Sequence, residues 1–156
     1  MNDFRFTFVP RWADIDANQH LKNTAFSEWS VHARSEWLAS VGFDFKKLME
    51  LNFSGVVFED RTRYLKEILL GETIVIDLEL VGLKHDGSQF HVRHNFRRGD
   101  TVCAVHEVKG AWLDIANRRI AAPPDGIFQA SIDLVRASDY AEIVSAAKGR
   151  DKSGGN

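Results

Sequence analysis

The sequence predicts an α+β domain in which one long helix lies against a curled antiparallel sheet. Two observations predict it. Residues 24–41 place Phe26, Trp29, Ala33 and Trp37 at spacings of three and four, the period of one helical face. From residue 53 onward the pattern changes to apolar residues alternating with polar ones, interrupted by turn-forming pairs such as Asp86-Gly87. A helix face that carries two tryptophans needs a broad partner, and only the sheet is large enough.

The elements follow in order. Phe4, Phe6 and Phe8 alternate with Arg5, Thr7 and Val9, a half-buried strand whose ladder Pro10 limits. Residues 13–23 are polar and turn-prone. Asn23 or Thr24 offers a short side chain to cap the long helix, and Gly42 stands where a left-handed C-terminal cap belongs. A short helical stretch is expected over 45–51. Strands are expected over 53–64, around Ile74–Leu80, around Phe90–Phe96 and over 102–113, with turns at Asp86-Gly87, Arg98-Gly99-Asp100 and Asn117-Arg118. Pro123-Pro124 is expected to end a five- to six-stranded sheet, and a C-terminal helix to occupy 131–147. One domain is expected over 1–147, followed by a disordered tail of Gly, Ser and charge over 148–156.

Composition narrows the function classes. A chain of 156 residues, 44% hydrophobic and 27% charged, suits one soluble domain with a real core. A net charge of -2 argues against general affinity for nucleic acid or anionic membrane. The single cysteine, Cys103, excludes an intrachain disulfide framework and reads as a buried strand residue. No apolar run approaches the roughly 20 residues of a bilayer span, and residues 1–10 alternate instead of forming a leader, so a cytoplasmic location is expected. His91, His94 and His106 lie on expected strands without a carboxylate or cysteine at ligand spacing, so no metal site is expected.

The chemistry concentrates in residues 11–23. Asp16 lies four positions before His20, and Asn23 follows at the helix start. A carboxylate acts as a base toward water or attacks a carbonyl, and a helix N-terminus offers free N–H groups to a developing oxyanion. That combination points to acyl transfer; spacing alone leaves dehydration and simple binding open. Asp14 reads instead as a turn carboxylate closing Asx-type bonds.

The stretch Asp16-Ala17-Asn18-Gln19-His20-Leu21-Lys22-Asn23-Thr24-Ala25-Phe26 resembles the Asp-x-x-x-His-x-x-Asn signature of hotdog-fold acyl-CoA thioesterases. The branch is that of 4-hydroxybenzoyl-CoA thioesterase and the bacterial long-chain acyl-CoA thioesterases. Ala33-Arg34, Arg63-Tyr64-Leu65-Lys66 and Gly71-Glu72 extend the likeness. The resemblance implies a long helix wrapped by a curved sheet, paired edge to edge into a homodimer or homotetramer with active sites at the interface. It implies that Asp16 is the catalytic base or nucleophile and that the Asn23 N–H polarises the thioester carbonyl. His20 and the Asn23 side chain would shape the site. No cofactor is implied beyond coenzyme A as part of the substrate. Two departures stand out: Gln19 replaces a Gly common before the histidine, and Phe26 replaces a Tyr.

On this reading Phe26, Trp29, Val56, Val57 and Phe58 wall an acyl channel. Glu59 or Asp60, otherwise markers of an exposed strand face, would orient water from a partner subunit. Arg61, Arg63 and Lys84, with Lys66, Arg118 and Arg119, are the cations available to CoA phosphates. Another hotdog branch uses a helical Glu, for which Glu28 and Glu36 are positioned without a supporting motif. The alternatives are a hotdog hydratase or dehydratase, whose Asp and His are usually one residue further apart, and a non-catalytic acyl-CoA or acyl-carrier binding module.

Overall fold

The computed structural model describes residues 3–144. Strand β1 (Arg5–Phe8) leads through a single 3-10 turn (Trp12–Asp14) to helix α1 (Asn23–Ser40), and a second, short helix α2 (Phe45–Glu50) follows. Four long strands come next: β2 (Phe53–Tyr64), β3 (Ile74–Leu83), β4 (Gln89–Arg98) and β5 (Thr101–Asp114). Short β6 (Arg119–Ile120), α3 (Asp125–Asp133) and β7 (Val135–Arg136) complete the described chain. The sheet runs β1-β3-β4-β5-β2, with β6 added to β5 and β7 to β3. All of these pairings are antiparallel except that of β7 with β3, which is parallel.

The sheet curls because its ladders are interrupted. Irregularities at Val57/Glu59, Leu80/Gly82 and Phe96/Arg97 add local twist, which bends the strands around α1. Alternation then places Ile74, Ile76, Leu78 and Leu80 of β3 and Phe96 of β4 inside, each no more than 2% exposed. From α1, Ala25, Phe26, Ala33 and Trp37 meet them in one core. Cys103 is buried in that core on β5. This is the hotdog arrangement, a long helix held in a curved antiparallel sheet.

The ends of α1 differ from each other. At the C-terminus, Gly42 adopts φ +92 and its N–H donates to Ala39, while Phe43 N–H donates to Leu38. These two bonds make a Schellman cap, as the glycine predicted. At the N-terminus the capping position belongs to Lys22, and no side chain bonds to the free N–H groups. Asn23 is the first helical residue, not the cap, which corrects the sequence expectation for Asn23 and Thr24.

The C-terminal part also departs from expectation. The helix is α3, which starts directly after Pro124 and ends at Asp133; of the expected span 131–147, residues 134–144 are non-helical, with β7 and a turn at Ser138-Asp139, and 145–147 lie outside the described residues. The reason is the edge of β3. β1 covers only Ile74–Asp77, so the groups beyond would lack partners. β7 takes Glu79 and Leu80, and the N–H groups of Ala137, Ala141 and Ile143 donate to Leu80, Val81 and Leu83. Pro123-Pro124 therefore does not end the sheet. The expected tail, 148–156, lies outside the described residues.

Candidate active site

The polar segment before α1 folds into a tight loop. Asp16 N–H donates to the His20 carbonyl at 2.9 Å, and Gln19 N–H to the Asp16 carbonyl at 3.0 Å. Closing so short a loop forces Gln19 to φ +65, in the left-handed region where glycine costs least. That is the physical reason a glycine suits this position. The Asp16 Oδ1 atom accepts from the N–H groups of Asn18 (2.9 Å) and His20 (3.1 Å). Among the described residues Oδ2 accepts no bond, so one oxygen orients the carboxylate and the other stays available.

A second strip faces this loop. The chain leaving β2 is pinned where Leu65 and Lys66 donate to the Cys103 carbonyl, both at 2.9 Å. Leu21 N–H then donates to Ile68 at 2.7 Å, and His20 bridges to Leu69. Between loop and strip lies a cleft of about 420 Å³ that gathers Asp16, His20, Asn23 and Phe26 with Tyr64, Lys66 and Glu67. His20 Nε2 lies 2.9 Å from Glu67, and the Phe26 and Tyr64 rings meet edge to face at 5.1 Å. The exposed start of α1, with its uncapped N–H groups, opens on the same cleft.

Asp14 has different surroundings. It is 1% exposed and accepts from the Arg11 backbone N–H, from Arg11 Nε and Nη2, and from the Trp29 indole N–H at 3.2 Å. Burial pushes its carboxyl up, but the Arg11 bonds and the indole outweigh that and hold it below the usual carboxylate range. It is a buried anchor rather than an Asx-turn residue. Trp29 stacks on Phe8 at 4.3 Å, on the β1 side of the helix and outside the cleft.

The remaining sequence candidates lie on or near the outer strands. On β2, Val56, Val57 and Phe58 are 37%, 45% and 61% exposed, and Glu59 lies 3.8 Å from Lys109. Arg61 approaches Glu107 at 4.0 Å, Arg63 is exposed, and Lys84 follows β3, none of them in the cleft. Glu28 and Glu36 are exposed on α1, and Arg118 and Arg119 lie at the turn into β6. His91 bonds Glu107 at 2.7 Å, and His94 of β4 and His106 of β5 are buried, His94 against Arg34 of α1. Among the described residues no three metal-ligating side chains cluster. Glu67 is the cleft residue that sequence reasoning missed. Its signal was present, one position beyond the Arg63-Tyr64-Leu65-Lys66 likeness, but only the fold brings it to His20.

The Thioesterase-like superfamily model matches residues 10–131, spanning the loop, α1 and the sheet through α3. The chain belongs to the thioesterase-like superfamily. No curated protein matches it. Solved structures resemble this superfamily member throughout its fold. A hypothetical protein of Staphylococcus aureus in complex with CoA aligns at TM-score 0.78 and 20% identity, covering 93% of this chain and 90% of that one. A 1,4-dihydroxy-2-naphthoyl-CoA thioesterase from Synechocystis aligns at 0.75 and 15% identity, over 85% and 98%. A gentisyl-coenzyme A thioesterase aligns at 0.71 and 19% identity, over 83% and 99%. At these identities the likeness establishes the hotdog fold of this thioesterase-like chain.

Proposed function

We propose that this protein is an acyl-CoA thioesterase, cleaving an acyl-CoA thioester to a free carboxylic acid and CoA. The observation that carries this reading is the cleft itself, which is lined both by Asp16, with one carboxylate oxygen unbonded among the described residues, and by Asn23 at the uncapped start of α1. Superfamily membership and the CoA-bound and thioesterase neighbours support it. With the carbonyl oxygen at the Asn23 N–H, negative charge developing there is stabilised by the helix terminus. Asp16 Oδ2 takes a proton from water as that water adds to the carbonyl carbon, or adds itself to give an acyl anhydride that water then hydrolyses; in both cases the C–S bond breaks, CoA leaves as its thiolate and the free acid is released. His20, paired with Glu67, fixes the loop that presents Asp16. Phe26 and Tyr64 supply an apolar wall for the acyl group, and Lys66 a cation for the CoA portion.

The active unit on this reading is a dimer. β2 ends the sheet as a twelve-residue edge strand that exposes Val56, Val57 and Phe58, and a long apolar edge calls for a partner. Pairing there would bring Val56 to Glu59 against a second subunit, and with them the residues that sequence reasoning gave to the acyl channel.

The test is thiol release from aromatic, short-chain and long-chain acyl-CoAs by wild type and Asp16→Asn. Turnover by wild type with a loss of about 10²-fold or more in the variant is expected. Near-wild-type turnover by Asp16→Asn would remove Asp16 from the mechanism, and silence across the panel would remove the reaction.

A further inference from the structure

The fold holds a second, apolar cavity of about 210 Å³ between α1 and the sheet, separate from the Asp16 cleft. Trp37, Leu80, Phe90, Val92 and Trp112 wall it, and exposed Val31, Ser35 and Val57 form its rim. One charged side chain, Arg34 of α1, lines it as well.

Arg34 brings a cation with accessible donors to this otherwise apolar wall. His94 Nδ1 donates to the His106 carbonyl at 2.8 Å, so His94 presents the lone pair of Nε2 to Arg34 Nη1 at 3.0 Å and is neutral. That is the only hydrogen bond of the guanidinium among the described residues, out of five N–H donors. No carboxylate of the described residues lies within ion-pair distance of it; Asp60, the acid acting on it from further away, is turned to His106 Nε2 at 3.3 Å. Burial pulls the Arg34 pKa down to about 10, which leaves it charged at neutral pH. An apolar wall that carries one cation is the complement of a small amphiphilic anion.

We infer that this cavity binds a free apolar monocarboxylate, a short aliphatic or aromatic acid whose carboxylate sits on Arg34 and whose tail packs against Trp37 and Trp112. The inference needs no turnover and uses no residue of the Asp16 cleft, although its rim shares Val57 with the strand edge proposed for the dimer.

Calorimetric titration tests it, with hexanoate and benzoate set against hexan-1-ol and benzyl alcohol. Wild type, Arg34→Met, Arg34→Lys, Ser35→Phe and Asp16→Asn are compared. The acids are expected to bind wild type saturably at one per chain, at least tenfold tighter than the alcohols. Arg34→Met should weaken acid binding tenfold or more, with partial retention in Arg34→Lys. Ser35→Phe, a change at the exposed rim, should block the cavity even if Arg34→Met fails to fold, with thermal unfolding checked to show that the variant is folded. Asp16→Asn should bind the acids as wild type does. Equal affinity for acid and alcohol, no saturable acid binding, or acid binding lost in Asp16→Asn but kept in Ser35→Phe would each overturn the inference.

Discussion

Asp14 and Asp16 stand two positions apart, and burial alone separates their roles. Replacing Asp14 by alanine removes the acceptor of the Trp29 indole and of the Arg11 backbone N–H, which costs about 2–3 kcal/mol. Thermal unfolding should then fall by roughly 4–12 °C, at ~2–4 °C per kcal/mol for a chain of this size. Asp16→Asn removes an exposed charge and should stay within about 0.5 kcal/mol of wild type while losing turnover. If both variants unfolded alike, the division between anchor and catalyst would be wrong. Asp14 also carries a pH signature. Its folded carboxyl is held below the ordinary value of 3.8, so its contribution is present above that value and disappears as pH falls through the lowered one. The role proposed for Asp16 was legible in its spacing to His20 and Asn23. It concealed the state of Asp14, because burial depends on Trp29 arriving from fifteen residues away.

The elements were legible where local pattern and tertiary demand agree. α1 and β2 lie where periodicity and β-propensity put them, and Gly42 caps the helix as its identity suggests. Gly42→Ala meets no neighbouring atom, so its cost is purely conformational. About 1 kcal/mol is expected, read as a lower midpoint in urea. Gly110 on β5 is a different case. A Cβ there would lie 2.4 Å from the Val56 carbonyl oxygen, and backbone cannot yield as a side chain can. Gly110→Ala should push β2 off β5 and destabilise the fold by several times the Gly42 effect; equal effects would contradict the pairing. The C-terminal segment was illegible for the opposite reason. Its apolar residues fit a helix as well as a strand, and what decides is the vacant edge of β3, which no local window contains.

Across the whole molecule, His94 and His106 make stability depend on pH. Burial, reinforced by the Arg34 charge, pushes both imidazoles below their ordinary 6.5. Contact with Asp60 opposes the shift at His106 without reversing it. The unfolded chain therefore takes up protons that the folded chain refuses. Stability should be full above about 6.5 and decline as pH falls toward the lowered folded values, by up to about 1.4 kcal/mol per pH unit for each histidine. Urea unfolding at pH 7.5 and 5.5 checks the sign; an unchanged midpoint would mean that the pair titrates normally. Assembly is the second property at this scale. Light scattering should give twice the chain mass, and Phe58→Glu on the exposed edge of β2 should shift the protein toward monomer and lower turnover together. A fully active monomer would place the complete site within one chain.

The parallel pairing of β7 with β3 also sets a schedule for the newborn chain. Glu79 and Leu80 leave the ribosome first, and their partners Val135 and Arg136 follow roughly 56 residues later. At ~5–20 residues per second that is about 3–11 s during which the inner edge of β3 has formed but waits uncovered. A nascent chain stalled before Val135 would present that edge to its neighbours on the polysome, so this protein is most exposed to misassembly while the residues between Leu80 and Val135 are being made.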